Sequence, residues 1–316
     1  MNAAVTTFIN GVLSVKPLAN FAKNRARQMM IKRAESIGVY WRDEVKQLSA
    51  RGSDAKFNPI WEKELAAIAA PHLTYPDYYL TSFHAYEEGN LGWLPAMEVE
   101  SAARAVHARL WPEGDAEGDR RLHQTYHRVL KEKLPTAPKT IVDLGCSVGL
   151  DTFPLQAAYP DAQIIGVDLS PYYLAVAQYR QHNLSGLPAH FPIQWVHAPA
   201  EATGLPADSA DLVSACLMFH ELPQSAARLV INEAARLVKP GGHFALMDMN
   251  PQSEVYAKMP PYILTLLKST EPYLDQYFAL DIEQAFREAG FEPPSITFNT
   301  VRHRTIVASK NVASKK

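Results

Sequence analysis

The sequence predicts an α/β protein: a doubly wound, Rossmann-like, mostly parallel sheet with a C-terminal antiparallel hairpin, preceded by an N-terminal helical extension. Three observations carry this. Up to about residue 137 apolar residues recur at three- and four-residue intervals, the helical period. From residue 138 onward, short β-branched runs alternate with helix-length segments, as parallel sheets require. The last such stretch, "PSITFNTVRHRTIVAS", reads as two strands joined by a turn about Arg302-His303-Arg304.

In order, "NPIWEKELAAIAA", "AMEVESAARAVHARLW" and "GDRRLHQTYHRVLKEKL" are expected helices, and the tyrosine-rich "YPDYYLTSFHAYEEGNLGW" lies between the first two. "PTAPKT", with Pro135 and Pro138, punctuates the chain and places a boundary near 137. This divides it into a mainly helical domain or lid over 1–137 and an α/β domain over 138–316. The second part runs strand 140–145, helix from Asp151, strand 162–169, then a helix opening at Pro171 behind a Ser170 cap. Strands "IQWVHA" and "DLVSACL", the helix "SAARLVINEAARLV", a Lys239-Pro240-Gly241-Gly242 turn and strand "HFALMDM" follow. Residues 255–289 return to helix, and the segment at about 251–280 is inserted after the fifth strand.

Composition narrows the class. The chain has 316 residues, a formal charge of −2 and about half its residues apolar, as expected of a globular protein with a real core. No apolar run is long enough to span a bilayer, and the N-terminus lacks the pattern of a secretory signal, so the expected compartment is the cytoplasm. Two cysteines, Cys146 and Cys216, without metal spacing argue against a disulfide or structural zinc. Charge is uneven at the start: Lys16, Lys23, Arg25, Arg27, Lys32 and Arg33 precede the first acid, Glu35. Interleaved with Phe8, Ile9, Val12, Leu13, Leu18, Phe21, Met29, Met30 and Ile37, they suit either a peripheral membrane contact or a helix packing its apolar stripe on the body. The terminal "SKNVASKK" reads as a frayed tail. Nucleic acid is not an expected partner, since the chain is slightly acidic and its basic cluster is confined to one end.

The chemistry centres on Gly145-Cys146-Ser147-Val148-Gly149, which follows a strand and opens a helix. It fits the G-x-S-x-G elbow of serine hydrolases, for which Asp248 and His303 follow in the required order. That elbow, however, comes after several strands and an oxyanion loop, and here the upstream residues read as helices. It also fits a glycine-rich nucleotide loop, which predicts a carboxylate ending the next strand roughly 20 residues on, aimed at ribose hydroxyls. Asp168 stands at that distance and at the strand's C-terminal end, where open α/β sheets bind ligands. Gly145 and Gly149 allow a tight turn and close approach, and the helix N-terminus offers free N–H groups. A nicotinamide dehydrogenase shares this fold, but its G-x-G-x-x-G is not matched.

With these motifs, residues 138–250 resemble the class I S-adenosylmethionine (SAM)-dependent methyltransferases, of the small-molecule type with a ubiquinone/menaquinone-methyltransferase-like core. Asp143-Leu144-Gly145-Cys146-Ser147-Val148-Gly149 matches the family's first motif with serine at its middle glycine. The resemblance implies SAM as cofactor, with S-adenosylhomocysteine as product, and contacts from Asp143, Gly145, Cys146, Ser147 and Gly149. It further implies ribose recognition at Asp168 and its neighbour Leu169. "HAPAEATGLPADSADLVSACLMFHELP" is similar to the adenine turn and fourth strand, with Pro199 where an acid is common. Ala200 and Glu201 are then the implied adenine contacts, and Leu217 borders the methionine part.

Methyl transfer from a sulfonium is an in-line displacement, so the protein chiefly aligns the acceptor and excludes water. His220 in "MFHELP", at the ligand edge beside Glu221, is the candidate base for an acceptor that must lose a proton; capping or packing is the alternative. Phe219 suits either the cofactor or the core. Two segments suit acceptor selection: the tyrosine-rich stretch with Tyr75, Tyr78, Tyr79, His84, Tyr86, Glu87, Glu88 and Trp93, and the insertion with Tyr256, Tyr262 and Tyr273. The expected acceptor is a small hydrophobic or aromatic metabolite. A SAM-binding protein without turnover is the alternative on the same residues.

Overall fold

The structure, a computed structural model, describes residues 16–84, 86–111, 114–183 and 192–311. Five helices lead: α1 (Lys16–Ser36), α2 (Trp41–Ala50), α3 (Ile60–Ile68), α4 (Trp93–His107) and α5 (Gly118–Lys133). Then come β1 (Thr140–Leu144), α6 (Thr152–Ala158), β2 (Gln163–Asp168), α7 (Pro171–Asn183), β3 (Gln194–His197), β4 (Ala210–Cys216), α8 (Gln224–Leu237) and β5 (Val238–Met249). The chain closes with α9 (Glu254–Ala257), α10 (Pro261–Thr270), α11 (Leu274–Phe278), α12 (Ile282–Glu288), β6 (Ser295–Phe298) and β7 (His303–Ser309).

The strands form a seven-stranded sheet in the order β3-β2-β1-β4-β5-β7-β6. β1 to β5 are parallel, and β7 joins β5 antiparallel with His303 opposite Met249 and Arg304 opposite Asp248. The central strands are buried on both faces, hence their continuous Ile, Val and Leu runs. The chain order steps outward from β1 in both directions, so the carboxyl ends of β1 and β4 flank a topological switch point. On α8, Ala226, Ala227, Val230, Ile231, Ala234 and Leu237 supply the buried stripe at three- and four-residue spacing.

Two boundaries differ from the sequence reading. The Lys239–Gly242 turn lies inside β5: Ala210 pairs with Val238 and Leu212 with His243, so the residues between loop out as a bulge, with Gly241 at φ +80°. The hairpin turn falls at 299–302, not about Arg302-His303-Arg304. There Thr300 Oγ1 accepts the Arg302 and His303 N–H groups, while His303 and Arg304 begin the buried strand. A polar triplet suggests a turn by composition, but its backbone groups are needed by β5.

The helical extension is packed on the sheet domain. Leu122, Tyr126, Val129 and Leu130 of α5 share one apolar cluster with Ile141, Ile164 and Leu212. Trp61 of α3, with Ala96 and Met97 of α4, meets Val148, Tyr173 and Val176. On α1, Ile31 and Ala34 are buried against Trp41 and Ala105, and Arg27 forms an ion pair with Glu98. Residues 1–15 of the basic segment and 312–316 of the tail lie outside the described residues. Among the described residues no helix is long and apolar enough to cross a membrane.

Candidate functional site

The β1–α6 loop is tied to the end of β2 by its own backbone. Gly145 N–H and Cys146 N–H both donate to Val167 O (2.8 and 3.1 Å), and Gly149 N–H to Cys146 O (2.9 Å). Gly145 turns at φ +69°, and a Cβ there would lie 2.5 Å from Met218 Sδ. Ser147 sits at φ +51°, a left-handed conformation costing a side-chain-bearing residue about 1–2 kcal/mol. This is the physical reason for a glycine at the matching motif position. The cost is offset in part because Ser147 N–H donates to Asp168 Oδ2 at 2.7 Å.

Asp168 thus holds the loop as well as ending β2. Its Oδ1 accepts Ser170 N–H at 2.8 Å and the Leu169 N–H also favours the carboxylate, which still leaves acceptor capacity for a ligand. Burial, resisted by the Ser170 and Ser147 N–H groups, lifts its pKa to about 6. Asp143 lies deeper, accepting from Thr152 Oγ1 at 2.6 Å, and burial together with the Asp151 charge pushes its carboxyl well above the ordinary range. Cys146 is buried and its thiol raised by burial, so it behaves as a small apolar group. Leu169 is buried and Leu217 stands at φ +55°, its N–H on Met247 O. Ala200 and Glu201 occupy a turn closed by Ala202 N–H to Pro199 O (3.1 Å).

The tyrosine-rich segment comes down over these same strand ends. Tyr78 OH donates to Glu201 Oε1 at 2.8 Å, and burial plus the Glu201 charge hold that phenol above its usual pKa. Tyr79 is near enough to Asp168 for the carboxylate to reinforce the effect of burial on its hydroxyl. His197, ending β3, donates from Nε2 to Leu169 O (3.0 Å) and accepts Ala70 N–H at Nδ1 (2.7 Å). These roles assign the neutral tautomer, and burial lowers its pKa accordingly. Asn90 accepts from Ser170 Oγ at its carbonyl and from Tyr173 OH at Oδ1, and donates to Glu221 Oε2. Neither His197 nor Asn90 carried a signal in the sequence, because their partners lie on other elements. Trp93 is a packing residue instead, set among Phe57, Trp61 and Tyr172.

On the opposite side of the loop, His220 Nδ1 is 2.8 Å from Asp248 Oδ1, and His220 N–H donates to Asp248 Oδ2. Burial opposes charge on the ring, yet the Asp248 carboxylate, with Glu271 and Glu221 beyond, lifts His220 to about 10. The elbow reading fails here: Asp248 serves His220, while His303 meets His107 edge-on and is kept neutral by burial. Phe219 and Tyr256 are core residues, and Tyr262's side chain lies outside the described residues. Tyr273 of the insertion meets Tyr78 and Phe83, so insertion and tyrosine segment touch. A surface cavity of about 660 Å³ lies between α1 and α2, and none of these residues lines it.

A glycine turn at the switch point, a spaced carboxylate with free lone pairs and a parallel sheet edged by an antiparallel strand define a nucleotide-cofactor α/β enzyme of the methyltransferase type. Residues 141–242 match the family model described as a methyltransferase domain. The chain is 29% identical to the ubiquinone biosynthesis O-methyltransferase of Thiobacillus denitrificans, over 67% of this chain and 90% of that protein. Against the protein of the same name from Ralstonia nicotianae it is 30% identical, over 53% of this chain and 68% of the relative. A solved structure from Nostoc punctiforme, described as a candidate O-methyltransferase, shares the fold at TM-score 0.55 and 16% identity, covering 86% of this chain and 73% of that one. The chain belongs to the class I SAM-dependent methyltransferases. That membership sets the nicotinamide alternative aside.

The residues present fit the cofactor. Among the described residues, Ser147 Oγ and Glu201 Oε2 are buried without a hydrogen-bond partner, and Asp168 keeps acceptor capacity. Such groups cost free energy unless something polar meets them.

Proposed function

We propose that the enzyme methylates a small hydrophobic or aromatic metabolite at a hydroxyl oxygen. The observation that carries this reading is the aromatic wall of Tyr75, Tyr78, Tyr79 and Phe83, closed against Tyr273 above the carboxyl ends of the strands. The oxygen is taken from the O-methyltransferase relatives. Bound SAM supplies an electrophilic methyl on a sulfonium. Asp168 would accept from the ribose hydroxyls, Glu201 Oε2 and the Ala200 turn would meet the adenine, and the Asp143–Gly149 loop with Leu169 and Leu217 would surround the rest. His220, with Nδ1 fixed by Asp248, would present Nε2 to the acceptor hydroxyl, as the candidate base once the ring, charged up to about pH 10 in the free protein, has given up its proton. In this reading residues 1–137 act as a lid on the 138–316 cofactor domain, and 251–280 cover the acceptor.

Incubation of the full chain with methyl-labelled SAM and a panel of hydroxylated aromatic and isoprenoid-substituted compounds is expected to label apolar phenols. SAM binding with no S-adenosylhomocysteine from any of them would favour the alternative of a binding protein without turnover. Peripheral contact of residues 1–45 with an anionic membrane surface is part of the proposal, supported by the basic run of that segment. The full chain should float with phosphatidylserine-containing vesicles at low salt, and failure to float would remove the membrane from the reading.

A further inference from the structure

Three stretches far apart in sequence converge beside the acceptor side of the site. His84 comes from the tyrosine-rich segment, His220 from the loop after β4, and Glu271 from the insertion, just past α10. One ligand-capable atom of each lies within 4.8 Å of the others. His84 Nε2 is 3.3 Å from Glu271 Oε1 and 3.4 Å from Glu221 Oε1. These separations are longer than charge-assisted hydrogen bonds, which run about 2.7–2.9 Å. They match neighbouring ligands on one ion: atoms about 2.0–2.2 Å from a common cation stand roughly 3.0–3.5 Å apart.

Glu271 supplies an independent sign. Its residue is only 7% exposed, Oε1 faces His84, and Oε2 is buried with no hydrogen-bond partner among the described residues. A buried carboxylate oxygen left bare is costly unless a cation or donor meets it. The surroundings are also those of a metal site. Asp248 fixes His220 Nδ1 at 2.8 Å and leaves Nε2 as the ligating nitrogen, the carboxylate–histidine arrangement that orients metal-bound imidazoles. Asn90 holds Glu221 Oε2 at 3.0 Å, so that Glu221 borders the cluster with its other oxygen. His84 is held at φ +49°, its N–H on Thr270 O at 3.0 Å, next to Glu271. A left-handed histidine tied to its partner's neighbour is a strained position of the kind that clusters at functional sites.

We propose that His84, His220 and Glu271 form a three-ligand site for a divalent transition-metal ion, bringing lid, core and insertion together at the acceptor; with the ion bound, His220 Nε2 is a ligand and does not act as the base. Two imidazoles and one carboxylate suit zinc, manganese, iron or cobalt, and not magnesium or calcium, which take oxygen-rich sets. His84 keeps 34% of its side chain exposed, which gives the ion a way in and leaves room for further ligands. A second cluster, His123, Asp151 and Cys216, lacks this geometry: His123 Nδ1 and Asp151 Oδ1 are in direct contact at 2.7 Å, with no space between them for an ion.

The inference rests on the acceptor side proposed above, but its test needs no acceptor. The full chain, stripped with chelator, is titrated with Co²⁺ and followed by visible d–d absorption, and with Zn²⁺ and Mg²⁺ by calorimetry. One equivalent of Co²⁺ or Zn²⁺ is expected, with Mg²⁺ much weaker. Affinity should fall at least tenfold in both Glu271→Gln and His84→Ala, each checked for native circular dichroism. No stoichiometric binding by the wild type, or binding unchanged in both variants, would overturn the site. SAM affinity measured on the same stripped protein reports separately on the methyltransferase reading.

Discussion

Asp168→Ala is expected to weaken SAM binding by roughly ten- to hundredfold, because a charged acceptor of hydrogen bonds is worth about 1.5–3 kcal/mol. Two losses combine in this variant. On the proposed cofactor site the ribose hydroxyls lose their acceptor, and the Ser147 and Ser170 N–H groups lose the carboxylate that shapes the glycine turn. The wild type should also show a pH dependence. With the carboxyl pKa lifted to about 6 in the free protein, and the ionised form needed as acceptor, SAM affinity is flat above neutrality. It then falls about tenfold per pH unit well below 6. The folding linkage has the opposite sense: a carboxyl whose folded pKa is raised contributes stability that declines as pH rises from about 4 towards 6 and is level above. Calorimetry with SAM between pH 5 and 8 on wild type and Asp168→Asn checks both parts. Unchanged affinity in the variants would place ribose recognition elsewhere.

Asp151→Ala should be the most damaging single change to stability, at about 3–5 kcal/mol, the usual cost of removing one member of a buried ionic network. Asp151 Oδ1 contacts His123 Nδ1 at 2.7 Å and His127 Nε2 at 2.8 Å, and His123 Nε2 is 3.7 Å from Asp119 Oδ2. His107 completes the set on Asp119 at 2.6 Å. Both aspartates ionise below their ordinary range despite burial, because the imidazoles beside them favour the charged form. Burial disfavours charge on His123 too, but Asp119 and Asp151 lift it to about 9. The histidine part of this stabilisation is therefore complete below about pH 6.5 and is lost as pH rises through 9. The aspartate part is present above about pH 4 and fades as pH falls through the depressed folded values. Urea denaturation at pH 6 and at pH 9.5 would show a wild-type advantage over Asp151→Ala that shrinks at the higher pH. A difference under about 1 kcal/mol at pH 6 would mean that the network is not an ionic one.

These two residues differ in how visible they were. Asp168 stands out as a candidate because a nucleotide loop and its carboxylate keep a short, fixed spacing along one strand–turn–helix–strand unit. Asp151 was read only as a helix start, since its partners His123 and His127 sit on α5 before the first strand. His197 and Asn90 were missed for the same reason, and His220 was found without Asp248. In the sequence Asp248 stands only as a nominal triad member, whereas in the fold it lies on β5 opposite Arg304 of β7 and faces the loop after β4.

Local patterning sets what a few neighbouring residues can settle among themselves. The β-branched runs that become a buried parallel sheet, the glycines at the switch point, the Ser170 cap and the terminal hairpin all follow from interactions within about one supersecondary unit. The sequence by itself therefore determined the fold class, the glycine turn after the first strand and the family resemblance. Only the tertiary structure decided which face of the helical extension meets the strand ends and which histidine each aspartate serves. It also decided that His84, His220 and Glu271 share one corner of the site. Burial and opposite charge select those partners in space, across more than 100 residues for His84 and His220, and no periodicity along the chain encodes such a distance.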